Sequence, residues 1–335
     1  ACPSIAILPA EMSKERFEWL KTMAEEVIAT PGCESNVREI FEECITIKKT
    51  RPDAVIFNQF DQLPNHLWHY AVTGPAMEEL FKKIAKEGDL LALSLFSSGS
   101  GGTLGSGTYL KEHHPGSRVV VGEALQCPTI LENGFGGHRI EGIGDKHIPW
   151  VHNLRDTDTA VGIDDEITIR LLRLFNEPAG HKVLKEAGVP EETLAKLELM
   201  GISGVGNLVG TIKAAKYYEL GEDDIALTVF TDSLALYGSR LEELTRDRGA
   251  YDQRQADRDF DMLQNLSVDY VMDMSHVDRR RVHQLKYYTW IEQLGKELSE
   301  LNDQWYKYRE YWGGLHKQAD TIDSMINDFN TEIMK

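Results

Sequence analysis

The stretch from Asp89 to Glu112, DLLALSLFSSGSGGTLGSGTYLKE, constrains what this chain can fold into more than any other. Residues 90–96 form a short, mostly apolar run of the kind that makes a buried strand. Residues 97–102 are a serine–glycine loop, and from Thr103 the pattern turns helical, with Tyr109 and Leu110 ahead of Lys111 and Glu112. Strand, glycine loop and helix together aim free backbone N–H groups and the positive helix end at one point, an arrangement that holds an anion. Gly99, Gly101 and Gly102 permit positive φ, and a Cβ at Gly101 is expected to block a phosphate's approach. Ser97, Ser98, Ser100 and Thr103 add hydroxyl groups. No lysine follows the glycines in the GK[ST] sense, which argues against a nucleoside triphosphate. The spacing of Gly99, Gly101, Gly102 and Gly105 is not GxGxxG. The next strand, expected over 118–121, nevertheless leads to Glu123, where a dinucleotide fold puts its ribose-binding acid. On local grounds a dinucleotide site therefore stays open.

Other strands and helices alternate around this unit. A strand is expected over 4–8, then one helix from Met12-Ser13 to about residue 30, with Phe17, Leu20, Met23, Ala24 and Val27 on one face. A helix over 36–49 leads to a strand over 54–57. Asn58, Gln59 and Phe60 follow at that strand's C-terminal end, where open α/β sheets gather ligand groups. His66 and His69 lack a third ligand, so no metal site is expected. The glycine-rich segment 134–150 reads as a wall built from backbone. Helices are expected over 164–175 and 191–199, a glycine-rich helix entry begins at Gly201, and a strand over 225–230 ends in Thr231, Asp232 and Ser233. The alternation implies an α/β protein with doubly wound, mostly parallel sheets.

Beyond about Arg246 the chain becomes charged, aromatic and helix-favouring, with a plausible boundary at Gly249. Met262, Leu266, Tyr270, Tyr287, Trp290, Ile291, Leu294, Trp305, Tyr308, Tyr311 and Trp312 are too many large apolar groups for a solvated tail, so they are expected to pack on the body or a neighbouring subunit. Arg279, Arg280 and Arg281 read as a solvated helical face. The net charge of −18 argues against nonspecific binding to nucleic acid or anionic membrane, while an anion site made of amides is compatible with it. Cys2, Cys33, Cys44 and Cys127 show no CxxC spacing, which fits reduced thiols and a cytoplasmic protein. Nothing resembles a signal peptide, and no apolar run is long enough to span a bilayer.

In order and spacing, several segments resemble the pyridoxal-phosphate enzymes of the cysteine synthase and cystathionine β-synthase family. SGSGGT at residues 98–103 is similar to that family's GTGGT phosphate loop, and NQFDQLPNHLWHYAVTGP to its QQF…NP…H…TTGP segment. GGHRIEGIGDKHIP is similar to GPHKIQGIGAGFIP, GISGV to GISSGA, and VFTDS to the LPSS or LPDS that ends its last core strand. The resemblance covers residues 1 to about 245 and displaces the dinucleotide reading. It implies fold type II of the pyridoxal-phosphate enzymes, like the β subunit of tryptophan synthase, with the remainder of a small domain over 1–75, a cofactor domain over 76–245 and a helical extension over 246–335. That extension resembles the C-terminus of the branch called pyridoxal-phosphate-dependent β-subunit proteins.

Carried over residue by residue, the resemblance gives Gly99, Ser100, Gly101, Gly102 and Thr103 the cofactor phosphate, and Gly142, Ile143 and Gly144 its other side. It gives Ser233 the pyridine nitrogen, with Asp232 as a neighbouring competitor, and Gln59 the substrate carboxylate. Asp145 and His147 replace small and aromatic residues of the family near the expected substrate mouth, which puts O-acetylserine in doubt as substrate. The implied activity is β-elimination or β-replacement on a serine- or cysteine-type amino acid, in a homodimer. The family's Schiff-base lysine, in an SxKDR-type motif, and its TGN-type substrate loop do not occur here. The catalytic residue is therefore unassigned. A mid-strand start without Met leads us to expect a truncated chain, or a split enzyme in which a second subunit brings the lysine. A noncatalytic partner that keeps the fold is the alternative.

Overall fold

The computed structural model describes residues 3–334. The chain opens with a two-stranded parallel sheet in which β1 (Ile5–Pro9) pairs with β2 (Glu26–Thr30), Ile5 opposite Glu26 and Pro9 opposite Thr30. Between them lies α1 (Lys14–Met23). The single helix expected to run to residue 30 is thus cut short, and Ala24 is already extended. The β-branched residues Val27, Ile28 and Thr30 gain a partner strand in β1, and that pairing outweighs their helical periodicity. The helix α2 (Val37–Thr50) forms as expected. The strand expected over 54–57 does not, because Val55 and Phe57 project into solvent and have no partner strand among the described residues.

The main sheet has five strands: β3 (Leu90–Ser97), β4 (Arg118–Ala124), β5 (Thr157–Ile163), β6 (Asp224–Thr228) and β7 (Val271–Asp273). Their order is β6-β3-β4-β5-β7, with every pairing parallel except that of β7 with β5. Alternate residues supply two cores, as strand geometry requires. Phe96, Val119, Val121 and Leu227 face one side, with Met77 and Phe81 of the helix Gly74–Ile84 and Leu110 of α3 (Leu104–His113). Leu95, Val120 and Val161 face the other, with Ala214 of α4 (Ile202–Tyr217). Helices on both faces make the doubly wound arrangement that the sequence implies.

The residues after 246 join this body. Ala256 and Leu266 are buried in the core that holds Ile169 and Leu172, and β7 extends the sheet itself. Farther on come α5 (His276–Lys286), the π-helical turn Tyr287–Gln293 with the buried Trp290, α6 (Leu298–Tyr306) with the buried Trp305 and the helix Tyr308–His316 with the buried Trp312, while Tyr270 and Tyr287 stay exposed. The arginine run is not merely a solvated face. Arg279 pairs with Asp158 at 2.9 Å, and Arg281 donates to the carbonyl of Ile130 at 2.8 Å.

Candidate anion-binding site

Between the end of β3 and the start of α3, the backbone N–H groups of residues 99–103 donate to no described atom of the chain. They stand at the positive end of a ten-residue helix. Ser98 anchors the loop on both sides: its N–H donates to Gly122 at 2.8 Å, and its carbonyl accepts from the N–H of Gly144 at 2.7 Å. The second contact brings up the opposite wall, Gly142 and Ile143. Gly142 has φ +95°, and a Cβ there would stand 3.7 Å from Ser203. Ser203 opens α4, and its hydroxyl lies 3.2 Å from that of Thr231. One turn on, Asn207 donates to the carbonyl of Val229 at 2.7 Å and accepts from Ser97. These groups and His69 enclose a cleft of about 110 Å³. His69 hydrogen-bonds Thr73 at 3.0 Å, and burial lowers its pKa.

The cleft gathers Gly99, Ser100, Gly101, Thr103, Gly142 and Ile143. Ser203, Asn207 and Thr231 join them although no role was expected for them. The remaining positions lie elsewhere. Gly102 faces the side chain of Asn65, which donates to Ser100 Oγ at 3.1 Å and to the carbonyl of Gln59 at 2.8 Å. Gln59 thus supports the loop through its main chain, while its side chain is exposed. Gly144 sits behind the wall, and Ser233 is outside the lining. One oxygen of the Asp232 carboxylate is held by Arg16 at 3.1 Å and Tyr237 at 2.5 Å, while the other has no partner among the described residues.

His147 is not at a substrate mouth. Its ring packs among Phe41, Phe60 and Trp290 at centroid distances of 5.7, 5.4 and 5.5 Å, and burial lowers its pKa to about 3. Asp145 is buried beside Gly144, with one carboxyl oxygen unpartnered among the described residues. Burial, and then the nearby Glu34, hold its pKa well above the usual carboxylate range. The pKa of Glu34 is pushed up to about 7, chiefly by burial, against the pull of Arg16. Behind the Gly142 turn, Glu34, His138, Glu141 and Arg240 line a polar cavity of about 490 Å³.

The dinucleotide reading fails on geometry. Both carboxyl oxygens of Glu123 accept main-chain N–H groups, of Ile130 and Leu131, each at 2.8 Å. That carboxyl caps a short helix and cannot serve a ribose. The cleft of about 110 Å³ has room for a phosphate group at the loop. No lysine lines it. His66 bonds His316 at 3.1 Å, and no cluster able to hold a metal ion occurs among the described residues. Nor is any described helix long and apolar enough to cross a membrane.

The fold is that of the fold-type II pyridoxal-phosphate enzymes. Within that class, the likeness is to the cysteine synthase and cystathionine β-synthase family. A cysteine synthase of Staphylococcus aureus is 28% identical over 229 residues, 68% of this chain and 65% of the relative. The chain therefore spans just under two thirds of that relative's length. A hydrogen sulfide-producing enzyme of Fusobacterium nucleatum has a structure matching with a TM-score of 0.58 at 25% identity, over 77% of this chain and 70% of the other. The O-acetylserine-dependent cystathionine β-synthase of Helicobacter pylori matches with a TM-score of 0.55 at 28% identity, over 70% and 68%. No family model matches the chain.

Proposed function

We propose that this chain holds pyridoxal phosphate and serves β-elimination or β-replacement on a serine- or cysteine-type amino acid. The observation that carries the proposal is the row of five undonated amides at 99–103, closed by a Gly142 wall whose missing side chain leaves room beside Ser203. Pyridoxal phosphate supplies, when bound, an electron sink for the carbanion formed at an amino acid's Cα. The loop amides and the hydroxyls of Ser100 and Thr103 grip its phosphate. Ser203 and Thr231 offer hydroxyls at the far side of the cleft, with Ser233 two residues beyond Thr231. Neutral hydroxyls facing a pyridine ring do not force protonation of its nitrogen, and such a moderate sink suits loss of a β-substituent. Gln59 is proposed to meet the substrate carboxylate after its exposed side chain swings inward.

The absence of lysine from the cleft lining favours a second requirement: the Schiff-base lysine comes from polypeptide outside these 335 residues, in the same protein or in a second subunit. A homodimeric, cytoplasmic enzyme is the family's expectation, and the unpaired thiols of Cys33, Cys44 and Cys127 accord with it. The test is product analysis on the purified native protein loaded with pyridoxal phosphate and offered L-cysteine, L-serine and O-acetyl-L-serine. Elimination yields pyruvate and ammonia together with sulfide, water or acetate; replacement, tested with a thiol also supplied, yields the thioether and the same leaving group. Bound cofactor with no product from any of the three would leave the noncatalytic partner. Failure to bind the cofactor would end the enzyme reading.

A further inference from the structure

The segment from Ile148 to Arg155 lies directly behind the phosphate loop. A Cβ built on Gly101 would meet Pro149 and the Cβ of His152, each at 3.5 Å, so those two residues form the floor beneath the loop. The carbonyls of the same segment are held from the other side. Trp290 Nε1 donates to Ile148 at 2.8 Å, Lys286 Nζ to Trp150 at 2.9 Å and to His152 at 2.7 Å, and Arg279 to Arg155 at 2.8 Å. Every one of these donors comes from the helical extension. Lys286 is fully buried, and its third partner is Gln304 Oε1 at 2.8 Å. Three acceptors match the three N–H bonds of an ammonium group. A buried cation is costly unless it is fully hydrogen-bonded, and nothing about covering the sheet requires one at this place.

We infer that Lys286 is a positioning residue for the phosphate loop: by fastening the carbonyls of Trp150 and His152 it fixes Pro149 and His152 under Gly101, and with them the shape of the amide cradle. The helical extension is then part of the cofactor site. The inference rests on the phosphate reading of the loop, and its test separates the two. Pyridoxine phosphate is the probe, because its alcohol cannot form imines with surface lysines, and its affinity is measured by calorimetry on the full chain. Lys286→Met should weaken binding on the order of tenfold, as partners that hold ligating groups commonly do. Trp290→Phe keeps an aromatic group but loses the indole N–H donor; it should weaken binding by a smaller factor, and it carries the test if Lys286→Met does not fold. Leu315→Ala, in the extension but packed on Leu67 and Trp312, should lower the melting temperature and leave the affinity unchanged. Wild-type affinity in the folded Lys286→Met or Trp290→Phe protein overturns the inference, as does an equal loss in Leu315→Ala. Wild-type protein that does not bind the probe overturns the phosphate reading itself.

Discussion

Gly101 and Gly142 both have positive φ, yet a side chain would meet different surroundings at each. At Gly101 a Cβ points into the floor, at ordinary contact distances from Pro149 and His152. Gly101→Ala is then penalised mainly by backbone strain, about 1–2 kcal/mol, and the block to phosphate expected from the sequence does not arise. At Gly142 the same methyl group stands in the cleft, 3.7 Å from Ser203. Gly142→Ala should therefore reduce pyridoxine phosphate affinity much more than Gly101→Ala, at a similar loss of melting temperature. Parallel calorimetry and thermal melts of the two variants check this. Glu34 gives a pH signature at the same turn. Its ordinary value is 4.5 and its folded value about 7, so between these the folded state holds a proton that the unfolded chain has lost. Its contribution makes stability fall as pH rises through that window, and the cost is complete above about 7. Glu34→Gln should raise the melting temperature at about pH 8 and leave it unchanged at about pH 4; a gain at both, or at neither, would contradict the burial argument.

Among the elements, those with a strong single signal were legible in the sequence. The β3–loop–α3 unit shows its apolar run, its glycines and its helical turn within twenty-four residues, and the structure places it so. The segment after Met23 was misread because Val27 continues an apolar helical face and equally suits a strand; the partner strand β1, twenty residues away, decides between them. The run at 54–57 looks like a strand locally but finds no neighbour. Two strands left no clear mark. β5 is preceded by a loop that hides its start, and β7 is three residues long and is placed only by its pairing with β5. At the site, the loop and the Gly142 turn were legible because glycine reports backbone needs. Thr231 and Asn65 were not, since a lone threonine or asparagine carries no sign of what it will face. His147 was misplaced because the aromatic residues around it come from three distant parts of the chain.

At the scale of the whole molecule, a net charge of −18 coexists with the proposed anion site. The conflict is only apparent, because the cleft attracts through uncharged amides and a helix end whose field falls off within a turn. The extension adds to this by holding the floor of the loop in place from behind. The claim on which the rest depends is that the loop over 99–103 receives the cofactor's phosphate. A crystal structure of the chain with pyridoxine phosphate bound tests it most directly. We expect phosphate oxygens within hydrogen-bond distance of the amides of residues 99–103, and the ring lying against Gly142 with its nitrogen toward Thr231 and Ser203. A phosphate found instead against the arginines of α5, or in the polar cavity beside Glu34, with the loop amides free, would contradict the account.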